Sequence, residues 1–201
     1  MKELRFRQVH LDFHTYELIK GVGDKFKPGE FVRILKESHI NSITCFAKCH
    51  HGMSYYNTKV GVKHPYLRRD LLKEIINACN ANDILIPVYI SVGWDEYMAK
   101  KHPEWRQVGK DGKMLGAEPL QAGWRNMCFN TPYADYVASQ TEEVLKNYKP
   151  EGIFFDIVIH PANGCFCQWC VKDRNQLKLD SESEEDLKNH RDIVCQRFMR
   201  R

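Results

Sequence analysis

Apolar residues along this chain gather in four short runs, 4–13, 41–47, 84–91 and 152–159. Each run is rich in β-branched or aromatic side chains and only a few residues long, which predicts strands. Between them the apolar positions recur at spacings of three and four, the period of a helix with one buried face. Phe31, Ile34, Leu35 and Ser38 mark a first helix, opened by Lys27-Pro28-Gly29-Glu30. Leu71, Leu72, Ile75, Ile76 and Cys79 mark a second. Tyr133, Val137, Thr141, Val144 and Leu145 mark a third, with Thr131 expected as its N-cap and Pro132 at its first position. Beyond Cys170 the pattern is charged and helical, and the acidic stretch from Ser181 to Asp186 is expected to be a solvated helix start.

Strands alternating with helices predict an α/β fold with a parallel sheet and helices packed outside it. No G-x-G-x-x-G turn follows the first strand, which weighs against a dinucleotide-binding sheet. Polar residues instead gather just after the strands: His10, Asp12 and His14; Lys48, His50 and His51; Trp94 and Asp95; Asp156 and His160. Barrels of alternating strands and helices draw their catalytic residues from the C-terminal ends of several strands. The expected architecture is therefore a partial (β/α)8 TIM barrel of about four βα units, forming a single domain over residues 1–201. A full barrel takes about 250 residues. The chain is accordingly expected to be the N-terminal part of a barrel, a fragment completed by a missing C-terminal half or by a homo-oligomer.

Composition changes this picture little. A net charge of +4 spread along the chain gives no ground for nucleic-acid binding. No apolar stretch is long enough to span a membrane and no apolar leader precedes the first strand, so a cytoplasmic location is expected. The eight cysteines are then better read as metal ligands or buried thiols than as a disulfide framework.

Three of those cysteines, Cys165, Cys167 and Cys170, lie within six residues, and Cys128 precedes the third helix. Structural zinc takes four thiolate or imidazole ligands in a tetrahedron, so three clustered thiols and one distant one suit a structural zinc; buried or redox thiols are the alternative. Met127-Cys128-Phe129-Asn130-Thr131-Pro132, followed by C-x-C-x-x-C, resembles the zinc cluster of family 42 β-galactosidases. That resemblance implies zinc on Cys128, Cys165, Cys167 and Cys170.

Asp156 ends the apolar run Gly152-Ile153-Phe154-Phe155, where a carboxylate needs a partner or a task. Glycosidases use a pair of carboxyl groups about the sugar bond. Ala47-Lys48-Cys49-His50-His51-Gly52 together with Asp156 resembles family 29 α-L-fucosidases, which implies Asp156 as nucleophile and His50 and His51 as binders of sugar hydroxyls. Over its first 170 or so residues the chain resembles the group called hypothetical glycosyl hydrolase 6, through 10–14, 46–52, 92–96 and the cysteine cluster. The expected function is hydrolysis of O-glycosidic bonds in a carbohydrate substrate, with Asp156 as the essential carboxylate. His10, Asp12, His14, Lys48, His50, His51, Trp94 and His160 are expected to bind the sugar. Trp94 and Tyr56 are candidates for stacking on it. Two alternatives are a metal-dependent amidohydrolase-type barrel using His10, Asp12 and His14, and a non-catalytic carbohydrate-binding fragment.

Overall fold

In the computed structural model, which describes residues 5–118 and 121–201, thirteen elements follow one another. They are β1 (Gln8–His10), α1 (Pro28–Glu37), β2 (Ser42–Lys48), β3 (Met53–Ser54), β4 (Val62–Lys63), α2 (Leu71–Asn80), β5 (Val88–Ser91), α3 (Glu96–Lys101), a 3-10 turn (Pro103–Trp105), α4 (Tyr133–Tyr148), β6 (Ile153–Asp156), α5 (Gln168–Leu177) and α6 (Glu184–Met199). The chain divides into two compact units. One comprises the described residues through Ser91 with Gln140–Asp156; the other comprises Val92–Ser139 with Ile157–Arg201.

The first unit is an α/β layer. Strands β1, β2, β5 and β6 are parallel and lie side by side in that order, with the short β3 and β4 carried beyond β2. This is the expected parallel sheet of a partial barrel, and it is not closed. Register divides its side chains between two faces, because successive residues of a strand point to opposite sides. His10 pairs with Thr44, Phe46 with Tyr89, Tyr89 with Phe154 and Ser91 with Asp156, so these residues share one face. Val9, Ile43, Cys45, Val88, Ile90, Ile153 and Phe155 occupy the other. Helix α2 packs on β2 and meets α1.

The second helical pattern is matched residue for residue: Leu71, Leu72, Ile75, Ile76 and Cys79 are all buried. Asp70 starts α2 by accepting a hydrogen bond from the Lys73 N–H at 3.0 Å. The first pattern is shifted: Val32 and Leu35 face the core, while Ile34 is 49% exposed. With the core face centred on 32 and 35, a residue at 34 lies about 100° to 200° around the helix from both. In α4, Tyr133, Val137 and Val144 are buried and Leu145 is exposed. The Thr131 hydroxyl accepts from the Tyr133 N–H at 3.2 Å, the expected cap.

The first strand is shorter than its apolar run. Leu4 lies outside the described residues. After His10 one more ladder bond forms, from Leu11 N–H to the Thr44 carbonyl at 3.1 Å. The chain then leaves the sheet. Phe13 packs its ring between Phe46 and Tyr55, at 4.9 and 4.8 Å, and the Thr15 N–H donates to the Tyr55 hydroxyl at 3.0 Å. Aromatic packing and one hydrogen bond thus outcompete continued pairing, and Asp12 and His14 are loop residues.

The second unit has little regular sheet. Residues 106–118 and 121–127 meet through isolated bridges, Arg106 to Met127, Val108 to Met114 and Gly116 to Arg125. Asp95 caps α3 through the Met98 N–H at 2.9 Å, and Glu96 holds Arg125 at 2.8 Å. Ser183 caps α6 by accepting from the Asp186 N–H, with Glu184, Glu185 and Asp186 in the first turn, so the acidic stretch is the helix start expected of it. Asp173 joins α5 to α6, accepting from His190 at 2.9 Å and from Arg197 at 2.8 Å. Among the described residues no helix is long and apolar enough to cross a membrane.

Directly after β6, Ile157 has φ of 62°, a left-handed conformation that a β-branched residue adopts only under constraint. Gly93 lies against it: a Cβ there would collide with the Ile157 carbonyl oxygen and its side chain. Gly93→Ala is expected to lower unfolding stability by about 1–3 kcal/mol or more, since neither backbone can yield. Urea unfolding followed by circular dichroism checks it; an unchanged midpoint would refute the close approach.

Candidate functional site

The polar end of the first unit's sheet begins at the carboxylate. Asp156 closes β6 with its side chain 29% exposed. It accepts a hydrogen bond from the Tyr89 hydroxyl at 2.6 Å. Burial, and then Asp156 itself, push the Tyr89 phenol well above its ordinary value, so it keeps its proton and donates. His50 stands behind this pair. Its Nδ1 is 2.6 Å from the Ser91 hydroxyl, its Nε2 is 3.5 Å from the Tyr89 oxygen and 3.7 Å from Asp156. Burial, helped by His14, Lys48 and His51, lowers His50 to about 3, so the ring is neutral near pH 7. One arrangement of protons satisfies the chain: Ser91 donates to Nδ1, Nε2–H points at the Tyr89 oxygen, and Tyr89 donates to Asp156.

His14 stacks flat on His50, with ring centroids 3.9 Å apart. Its Nδ1 accepts from the His50 backbone N–H at 3.2 Å, which leaves Nε2–H to donate to Asp12 at 2.9 Å. Burial lowers the His14 value despite the opposing pull of Asp12 and Asp156. Lys48 is buried and its ammonium donates to the Ser91 carbonyl at 3.0 Å. His10 is exposed, with its ring against the edges of Phe46 and Tyr89. His51 sits against Tyr16, with centroids 5.4 Å apart. An open cavity of about 470 Å³ lies beside the carboxylate, lined by Gln8, His10, Thr44, Phe154 and Asp156.

The structure thus gathers His10, Asp12, His14, Lys48, His50 and Asp156 at one end of one sheet. Trp94 and His160 belong to the second unit, where the Trp94 indole donates to Asn126 at 2.9 Å. Sequence reasoning missed Tyr89 and Ser91. Their signal was two polar groups at a spacing of two in the apolar third strand, a spacing that puts both on the face of Asp156. Asp95 and Glu96, which follow the third strand, are occupied with α3 and with Arg125.

In the second unit Cys128, Cys165, Cys167 and Cys170 are all buried, with their sulfurs within 4.8 Å of one another. Cys128 Sγ lies 3.9 Å from Cys165, 3.7 Å from Cys167 and 3.5 Å from Cys170. A zinc tetrathiolate with bonds of about 2.3 Å has tetrahedron edges of about 3.8 Å, so the spacing fits a four-sulfur metal centre. A disulfide, at about 2.05 Å, is excluded. Among the described residues this is the one convergent group of three or more histidine, cysteine or acidic side chains able to hold an ion. His160, expected among the sugar ligands, is instead buried beside these sulfurs, its Nε2 3.5 Å from Cys128 and 3.8 Å from Cys170.

The parallel-stranded α/β sheet carries a carboxylate, histidines and a lysine at its C-terminal end, and the comparisons give its class, a glycoside-hydrolase-like domain. The family described as hypothetical glycosyl hydrolase 6 matches residues 28–157, and the chain belongs to that family. Among solved structures it is similar to alpha-L-fucosidase isoenzyme 2 from Paenibacillus thiaminolyticus, with 38% identity and a TM-score of 0.92 over 98% of this chain. The chain spans 30% of the length of that protein. It is also similar to a hypothetical protein from Ruminiclostridium thermocellum, with 15% identity and a TM-score of 0.54 over 67% of this chain and 70% of the other. Thermotoga maritima alpha-fucosidase in complex with a mechanism-based inhibitor gives 21% identity and a TM-score of 0.51 over 77% of this chain and 32% of the other. The last two likenesses concern the fold. Comparison with curated proteins found no match.

The neutral, buried state of His50 sets a pH dependence. Its value is 6.5 when unfolded and about 3 when folded. Between these the unfolded chain binds the extra proton, so the stability from neutral His50 is present above pH 6.5 and lost as pH falls towards 3. His50→Gln, which takes up no proton there, is expected to flatten the loss between about pH 7 and pH 4.5 by up to about 1.4 kcal/mol per pH unit. Parallel urea titrations at fixed pH read the difference, and identical slopes would contradict a neutral buried ring.

Proposed function

We propose that this protein is the carboxylate-bearing part of a glycoside hydrolase, and that Asp156 is the group that meets the anomeric carbon of the sugar. The observation that carries this reading is the position of Asp156: partly exposed at the end of a parallel strand, hydrogen-bonded by Tyr89 and beside an open cavity. A carboxylate so placed acts as nucleophile or charge stabiliser as positive charge develops on the sugar ring. His10, Asp12 and His51 bind sugar hydroxyls, while His14, Lys48 and His50 hold the surrounding groups in place through their own hydrogen bonds. An imidazole pairs with a hydroxyl and a carboxylate accepts from one, so both side-chain types suit a sugar's hydroxyl groups. The sugar to test first is an α-L-fucoside, the class that the name of the Paenibacillus protein gives for that enzyme.

The four cysteines hold a zinc ion in a structural role. Four sulfur ligands leave no open position for water or substrate, which separates this centre from metal-based hydrolysis. An amidohydrolase-type metal on His10, Asp12 and His14 finds no support, because both ring nitrogens of His14 already have partners within the protein.

Two outcomes test these roles. Hydrolysis of 4-nitrophenyl α-L-fucopyranoside is expected to fall by at least about 10³-fold in Asp156→Asn, with the circular dichroism spectrum retained. Full activity in that variant would overturn the assignment. For the cysteines, Cys167→Ser is expected to reduce zinc from about one ion per chain and to lower the melting temperature, because metal binding and folding are coupled. Equal zinc by atomic absorption in parent and variant would remove Cys167 from the ligand set.

A further inference from the structure

The surroundings of the four cysteines carry more than the cysteines do. Arg174 on α5 is completely buried, yet the described residues give it no carboxylate partner. Its Nη1 donates to the Cys165 carbonyl at 2.7 Å, its Nε donates to the Ser181 hydroxyl at 3.0 Å, and its guanidinium lies 4.8 Å from the ring centre of Phe166. Nη2 is buried with no hydrogen-bond partner among the described residues. A lone buried cation is costly unless an opposite charge lies near. Two of its contacts, to Cys165 and Phe166, are to the loop that carries the sulfurs.

N–H donors also converge on those sulfurs. The Val108 backbone N–H points at Cys165 Sγ from 3.4 Å. The buried His160 ring reaches Cys128 and Cys170 through Nε2. Its Nδ1 has no partner among the described residues, so the ring's described polar contacts are all with sulfur. Donors aimed at sulfur suit thiolates, which are strong acceptors, far better than thiols, which are weak ones. Four thiolates around a divalent cation carry a net charge of −2, and Arg174 is the fully buried guanidinium whose contacts lead to that centre.

We infer that Arg174 and His160 form the outer shell of the metal centre: Arg174 balances the charge of the metal tetrathiolate, and His160 orients Cys128 and Cys170 by N–H···S hydrogen bonds. This rests on the zinc reading above. Both are positioning residues, and they act on metal affinity through the sulfurs.

The test measures zinc affinity of the protein by competition with a chromophoric chelator, alongside melting temperatures with and without metal. Arg174→Met, close in volume and uncharged, is expected to lower zinc affinity 10- to 100-fold while leaving the melting temperature of the metal-free protein unlowered. Arg174→Lys, which keeps the charge, is expected to stay within about threefold of the parent, the outer-shell effect being chiefly one of charge. His160→Ala is expected to lower affinity about tenfold, and His160→Gln, which keeps an N–H donor, to recover part of it. Unchanged affinity in Arg174→Met and His160→Ala, or an equal drop in melting temperature with and without metal, would assign both residues to packing and overturn the inference. Failure of the Met and Lys variants alike to fold would do the same for Arg174. A parent protein that takes up no zinc would overturn the zinc reading itself, whereas a zinc-binding parent with indifferent variants would overturn the outer shell alone.

Discussion

The pairing of β5 between β2 and β6 is the constraint on which the site depends. A strand shifted by one residue sends every side chain to the opposite face. In the observed register Phe46, Tyr89 and Phe154 stack across three strands, Phe46 on Tyr89 at 3.7 Å and Tyr89 on Phe154 at 5.9 Å. The same register brings Ser91 opposite Asp156. The aromatic stack thus fixes both the phenol that donates to Asp156 and the hydroxyl that meets His50. The rear face of these strands carries only apolar side chains and a thiol, so any slip would bury polar groups without partners. That penalty, about 1–3 kcal/mol for each group, protects the geometry more firmly than the stacking alone.

Neutrality is the second feature of the polar end. His50 is driven to its uncharged form by burial, and Tyr89 is driven to keep its proton. Asp156 therefore accepts from an uncharged phenol, with the neutral His50 ring 3.7 Å away. On the proposed reading, a carboxylate held by a neutral phenol would stabilise a positive charge developing on a sugar ring. Lys48, the cation of the group, is turned to the Ser91 carbonyl.

The second unit solves a different problem. Helices α5 and α6 bury few apolar side chains; beyond Cys170, α5 buries Arg174, and α6 buries Leu187, His190, Val194 and Phe198. Their organisation rests on polar ties, through Asp173 to His190 and Arg197, and on the four sulfurs against which Val108 and Trp169 pack. A metal clip would add to this packing, since metal-binding free energy becomes folding free energy.

How much of this was legible in the sequence follows from the range of each interaction. Hydrophobic period is local, so the four parallel strands and the α2 stripe were readable, as were the Thr131 cap and the helix start at Ser183. The C-x-C-x-x-C spacing is local too, and it pointed to the metal-sized cluster with Cys128. The shift of α1 towards Val32 was not readable, because the choice between neighbouring apolar stripes is made by what the helix packs against. Nor was the end of β1 at His10, where Phe13 leaves the sheet for rings more than thirty residues away. His160 looked like a residue of the strand-end cluster and proved to be a neighbour of sulfur; Tyr89 and Ser91 looked like core and proved to be partners of the site. Local pattern settles which segments become strands and helices. Which polar groups meet is settled by register and by the burial of unpaired donors, and both arise only when distant segments are packed together.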